Sequence, residues 1–221
     1  MNTNQTFSAI RTSTEFIFTL AYLNILWILF TLMGVVIGGI GPSTAALLEV
    51  IDKWQKKGMM QEKMFSLYWR AYKKSFTKAN LLLVIQLVAG IILYVDLRFT
   101  ITMENGMFAA LAGVWIFMTI LYIIMLMFSF PLLVHLRLSA LQAIKHSFYY
   151  AFSSPILTIA AFLSFIGIQI ALYYLPSLYL FFSTSLFGFV IVYVSRKIAS
   201  RIDKLKIQNH AEKESVDIMG R

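Results

Sequence analysis

The chain has 221 residues, of which 59% are hydrophobic and 13% charged, with a mean hydropathy of +0.76. Charge stands at about half the roughly 25% usual in soluble domains, and a disordered chain would be poor in apolar residues. There is no Cys, which excludes disulfide frameworks, thiol nucleophiles and Cys-based metal sites, and the 19 Lys+Arg exceed the 10 Asp+Glu by nine; the solvent that fits this composition is the lipid bilayer.

A spanning helix needs about 20 apolar residues, because about 30 Å of hydrocarbon is crossed at a 1.5 Å rise per residue. The stretches between charges supply them in chain order. Between Glu15 and Glu49 lie 33 uncharged residues, and 16–40 within them is the first expected span. The 17 residues between Lys78 and Asp96 give a short second span, 79–95, whose flanking residues must snorkel. The third, 107–130, lies between Glu104 and Arg137 and ends at Pro131. The 50 residues between Lys145 and Arg196 are too long for one helix, and Pro155 and Pro176 divide them into spans at about 155–175 and 177–195 joined by a tight hairpin. The first span is too long for the apolar part of a signal peptide and is kept. The expected fold is all-α: a polytopic transmembrane helical bundle of about five spans, with cytoplasmic amphipathic helices. Residues 1–207 read as one transmembrane helical domain and 208–221 as a mobile polar tail.

Basic residues set the expected orientation. The first loop holds eight Lys or Arg, the third loop two and the tail seven, against one each in the N-terminal segment (Arg11) and the second loop (Arg98). Placing the richer segments inside predicts an N-terminus out and a C-terminus in, in a bacterial cytoplasmic membrane whose anionic inner leaflet attracts each nearby cation by about 1 kcal/mol. The basic balance is then explained without nucleic acid.

The first loop is patterned. Gly41-Pro42-Ser43-Thr44 reads as a helix start. Leu47, Val50, Ile51 and Trp54 follow on one face, with the i,i+4 pairs Glu49/Lys53 and Asp52/Lys56 on the other, and Gly58 ends the helix. A second amphipathic helix within 41–78 carries Phe65, Tyr68, Trp69, Tyr72 and Phe76 on one face and Lys63, Arg70, Lys73 and Lys74 away from it. Two readings stay open: helices anchored in the headgroup layer, or a docking surface for a partner protein.

No Asp, Glu, Lys or Arg falls inside the five spans, which counts against ion-coupled transport. Asn24, Gln86 and Gln169 are the notable intramembrane amides, suited to interhelical hydrogen bonds and, as the sharper alternative, to a ligand site. Gly34 and Gly38 form a G-x-x-x-G pair, and Ala109 and Gly113 a small-xxx-small pair. His135, His146 and His210 are dispersed, no metal or cofactor motif occurs, and no P-loop, G-x-S-x-G or H-E-x-x-H supports an enzyme. Lys73-Lys74-Ser75-Phe76 and Lys145-His146-Ser147-Phe148 repeat at an offset of 72, each ahead of a span.

Leu23-Asn24-Ile25-Leu26-Trp27, then Gly41-Pro42-Ser43-Thr44-Ala45-Ala46-Leu47, then Trp69-Arg70-Ala71-Tyr72-Lys73-Lys74-Ser75-Phe76 occur in an order that resembles the YesL-like family of bacterial integral membrane proteins. The match covers roughly residues 20–80. The chain departs from the usual family pattern ahead of Gly-Pro, where Val36 and Gly39 stand in place of a Pro and a Thr. Members are often encoded beside carbohydrate uptake systems of the ABC type. The resemblance therefore implies a non-catalytic accessory or regulatory component of such uptake, with an ABC permease or another membrane protein as partner; the alternative is a small permease or substrate-capturing subunit built around Asn24, Gln86 and Gln169.

Overall fold

The computed structural model describes residues 3–58, 63–102 and 106–219, which form seven helices and, among the described residues, no strand. They are α1 (Thr3–Met33), α2 (Ile37–Lys57), α3 (Met64–Thr102), α4 (Gly106–His135), α5 (Ala140–Ser153), α6 (Pro155–Tyr173) and α7 (Pro176–Met219). Five of them carry stretches long and apolar enough to cross a membrane: Ser13–Met33, Met64–Thr100, Gly113–His135, Pro155–Tyr173 and Pro176–Lys204. The expected five-span helical bundle is thus present, and the α6–α7 hairpin turns just before Pro176 as its proline requires.

The first expected span, 16–40, is broken. Helix α1 stops at Met33, and Gly34-Val35-Val36 turn the chain before α2 starts at Ile37. Val35 and Val36 sit at φ 56° and 61°, a left-handed conformation that β-branched residues rarely adopt. The turn is nonetheless well bonded: the amides of Gly34, Val35, Val36 and Ile37 donate to the carbonyls of Phe30, Leu32, Thr31 and Val35, as an apolar surrounding demands. Pro42 falls inside α2 and does not start it. Its missing N–H leaves the Gly38 carbonyl unclaimed by the helix, and the Asn80 side-chain amide donates to that oxygen at 3.0 Å. The same device recurs at Pro155, where the Ala151 carbonyl four residues back accepts from the Thr158 hydroxyl at 3.2 Å.

Neither first-loop helix stands apart from the bundle. Helix α2 is the centre of the bundle, touching α1, α3, α4 and α7, and Ala45, Ala46, Leu47, Val50 and Ile51 are wholly buried. The second amphipathic helix is the first half of α3 and runs without a break into the 79–95 span, which removes the shortness of that span. Part of its aromatic face turns inward: Tyr68 and Tyr72 pack on Phe30 at 4.9 and 5.1 Å between ring centroids, and the Tyr68 hydroxyl donates to the Ser43 carbonyl at 2.8 Å, while Phe65 and Phe76 stay exposed. Of the 72-residue repeat, Lys73–Phe76 lies inside α3, whereas Lys145–Phe148 lies in α5, cut from α6 at Ser154-Pro155. From 208 the chain stays helical to Met219.

Close packing uses one glycine of the expected pair, Gly34, on which a Cβ would lie 2.3 Å from the Gly39 Cα, together with Gly39 and Gly41. A Cβ on Gly38 would meet nothing within 4 Å, whereas one on Gly39 would lie 2.2 Å from the Thr31 carbonyl oxygen and one on Gly41 2.8 Å from that of Ala79. Gly113 also faces open space, and the side chain of Ala109 is outside the described residues.

Helices α1 and α7 run antiparallel. Phe16 stacks edge-on against Phe189, and eight residues further along α1 Asn24 meets the α7 backbone between Leu180 and Ser185. The start of α1 therefore lies beside the later part of α7. The expectation of an N-terminus out and a C-terminus in would put these two segments at opposite ends, whereas the described start of α1 and the later part of α7 share one end of the bundle. Helix α2, expected as an amphipathic helix of a cytoplasmic loop, brings the chain back to the level of Phe16, with Trp54 against it at 5.2 Å.

Candidate functional site

Two groups of charged side chains gather at the end of the bundle where α2 and α4 finish. Helix α2 places Glu49, Asp52, Lys53 and Lys56 on one stripe by its 3.6-residue period. Lys53 Nζ lies 2.8 Å from Glu49 Oε1 and Lys56 Nζ 2.6 Å from Asp52 Oδ2, as the i,i+4 spacing leads one to expect. Asp52 is buried, and its other oxygen takes partners that no local pattern announces: His135 Nδ1 from the end of α4 at 3.0 Å and Arg196 Nε from α7 at 4.0 Å. Burial alone would raise the Asp52 carboxyl; hydrogen bonds and charge from His135 and Lys56 outweigh it and hold the group below its ordinary range. The sequence offered His135 only as one of three scattered histidines, since it stands 83 residues from Asp52.

The second group surrounds Glu49. Lys74 Nζ reaches to 4.0 Å from the carboxylate that Lys53 already holds. Arg70 from α3 and Arg137 from the α4–α5 corner join them around a cavity of about 250 Å³. Four cations thus face one carboxylate, a surplus of three positive charges. Arg137 holds φ 54°, a left-handed backbone that costs a non-glycine residue about 1–2 kcal/mol. The corner is fixed on its far side by Ser139, which caps α5 by accepting from the Gln142 amide at 3.4 Å while the Gln142 side chain accepts from the Ser139 amide at 3.1 Å.

The three intramembrane amides are not brought together. Asn24 donates to the Leu180 carbonyl at 2.6 Å and accepts from the amides of Thr184 and Ser185 at 3.2 and 3.1 Å, locking α1 to α7. Gln86 donates to Ser129 Oγ at 2.5 Å, locking α3 to α4, and Gln169 donates to the Tyr179 hydroxyl at 3.1 Å across the α6–α7 hairpin. Each amide is used by a helix contact, which is the structural alternative weighed for them from sequence. Asn24→Leu should accordingly lower the thermal midpoint of the purified protein, leaving three α7 backbone groups without their partner at about 1–3 kcal/mol; an unchanged midpoint in detergent would show that the α1–α7 contact does not depend on it.

The family described as "Protein of unknown function, DUF624" matches residues 20–97. Three proteins of Bacillus subtilis (strain 168) are similar over most of their length. The uncharacterized protein YesL is 30% identical over 84% of this chain and 87% of its own, and the uncharacterized protein YesV 33% identical over 89% and 92%. The uncharacterized protein YteU is 32% identical over 89% of this chain and 85% of its own. No solved structure matches. The chain belongs to the YesL-like, DUF624 family of unknown function.

Proposed function

We propose that this member of the YesL-like family is a non-catalytic accessory protein of the bacterial cytoplasmic membrane, with both chain ends in the cytoplasm, that docks a partner through the cationic pocket of Arg70, Lys74 and Arg137. Moving the N-terminal segment to the side of the tail adds Arg11 to the cations already assigned inside, leaving Arg98 alone outside out of 19 Lys+Arg. That distribution satisfies the positive-inside rule better than the orientation with the N-terminus out.

The observation that carries the reading is the surplus of three positive charges around the Glu49 cavity. The partner chemistry that complements it is an acidic segment of another membrane protein. A permease of a carbohydrate ABC system is the partner that the family resemblance suggests. The permease alternative would use Asn24, Gln86 and Gln169, each of which is engaged in a contact between helices.

The test is affinity purification in mild detergent followed by mass spectrometry of co-purifying proteins. Arg70→Glu with Lys74→Glu is expected to leave insertion and monodispersity unchanged while reducing recovery of the partner by at least about tenfold. Arg137→Gly removes the third cation, relaxes the left-handed backbone and should reduce recovery in the same direction. Repeated purification of the bare protein, together with sugar flux in liposomes, would overturn the accessory role.

A further inference from the structure

A second cavity, of about 650 Å³, opens between α1, α2 and α7. Its inner wall is a trio of rings: Phe16, Trp54 and Phe189 pack with centroids 5.1–5.3 Å apart. Its rim is cationic, formed by Arg196 and Lys197, with the hydroxyl of Ser200 one turn further along α7. Lys197 Nζ stands 6.0 Å from the centre of the Tyr193 ring, and among the described residues no carboxylate lies within ion-pair distance of it. Arg196 is only partly neutralised, because Asp52, at 4.0 Å, is already engaged by Lys56 and His135. Gln55 closes the wall by donating to the Phe189 carbonyl at 2.8 Å, and its Oε1 is a buried acceptor without a hydrogen-bond partner.

These groups ask for one kind of ligand. Two under-neutralised cations side by side suit a phosphate, which makes charge-assisted hydrogen bonds. An unfilled acceptor suits a hydroxyl donor. The aromatic wall suits hydrocarbon, and it continues onto apolar surface on both flanking helices, where Ile17, Phe18 and Tyr193 are 54%, 71% and 56% exposed. Along α7 the change from apolar to basic occurs at Arg196, where a lipid running beside the helix would present its headgroup.

We propose that this cavity binds the phosphate of an anionic amphiphile, an inner-leaflet phospholipid with a hydroxylated headgroup such as phosphatidylglycerol, through Arg196 and Lys197 over the Phe16–Trp54–Phe189 wall. The proposal stands apart from the docking pocket, with which it shares no residue. Binding orders a lipid at the junction of α1, α2 and α7 and places its phosphate in competition with Asp52 for Arg196.

The experiment titrates the purified full chain in a neutral detergent with brominated phosphatidylglycerol and, separately, brominated phosphatidylcholine, reading quenching of tryptophan fluorescence, to which Trp54 in the wall contributes. Phosphatidylglycerol is expected to saturate at about tenfold lower concentration than phosphatidylcholine. Lys197→Glu, an exposed position outside the Asp52 group, is expected to erase that preference, while Lys204→Glu, the same charge change farther along α7, is expected to keep it. Equal quenching by both lipids, or equal loss in both variants, would overturn the site in favour of unselective attraction to the basic end. Competition by millimolar glycerol phosphate would overturn the lipid assignment and leave a soluble phosphate ester as the ligand; its failure to compete supports the lipid.

Discussion

Gly39→Ala is expected to abolish recovery of folded, monodisperse protein, while Gly38→Ala, one residue earlier, leaves it unchanged. The added methyl at position 39 would sit 2.2 Å from the Thr31 carbonyl oxygen and 2.8 Å from both the carbonyl carbon and the Cα of Thr31. All three atoms are backbone, so no rotamer change makes room. Only separation of α1 from α2 does, and the two helices are tied by a three-residue turn whose amides are all bonded to the last turn of α1. Overpacking usually costs about 1–3 kcal/mol, and where two backbones must part the upper end applies. Gly41→Ala should fall between, since its methyl would meet the Ala79 carbonyl oxygen at 2.8 Å. Fluorescence-detected size exclusion and the thermal midpoint in detergent rank the three variants, and equal behaviour of the substitutions at 38 and 39 would mean that α1 and α2 do not meet as described.

That pair of variants also marks where reading the sequence succeeds and stops. Charge-free gaps locate apolar helices because each ionised group is expensive in hydrocarbon, and Pro176 marks a turn because its ring cannot continue α6. Hydropathy reports the solvent and not the neighbour. The run 16–48 is uniformly uncharged, so its hydropathy does not signal the reversal at Gly34-Val35-Val36, and the spacing rule selects Gly34 and Gly38 where contact geometry selects Gly34, Gly39 and Gly41.

Helix α2 was legible as amphipathic, yet the two carboxylates of its charged stripe also meet partners from three other helices: Lys74 of α3, His135 of α4 and Arg196 of α7. The i,i+4 pairs could be read because they are local. Asp52 with Arg196 could not, because 144 residues of chain separate them. Asn80 belongs to the same class. Its role depends on Pro42 having left the Gly38 carbonyl free, a relation visible only when α3 is laid on α2.

Asp52→Asn is expected to lower the thermal midpoint in detergent, and its pH dependence identifies the cause. The Asp52 side chain is 10% exposed and stands among Lys56, His135 and Arg196, whose side chains are 43%, 18% and 32% exposed. Breaking a buried ion pair by removing one partner costs about 3–5 kcal/mol, because the other charge stays behind. Here the cations keep part of their hydration, which reduces the figure to about 2–3 kcal/mol. Lys56→Gln, at the most exposed partner, should cost about 1 kcal/mol or less.

The carboxyl is held below its ordinary value of 3.8 in the folded protein. Its contribution is therefore complete above that value and fades as pH falls through it toward the lower folded value, where the folded and unfolded chains bind the same proton. The gap between wild type and Asp52→Asn should narrow as pH falls below about 4. A gap that stays constant through the acid range would assign the loss to the altered amide's packing and not to the charge, and no gap at any pH would remove Asp52 from the forces that hold α2, α4 and α7 together.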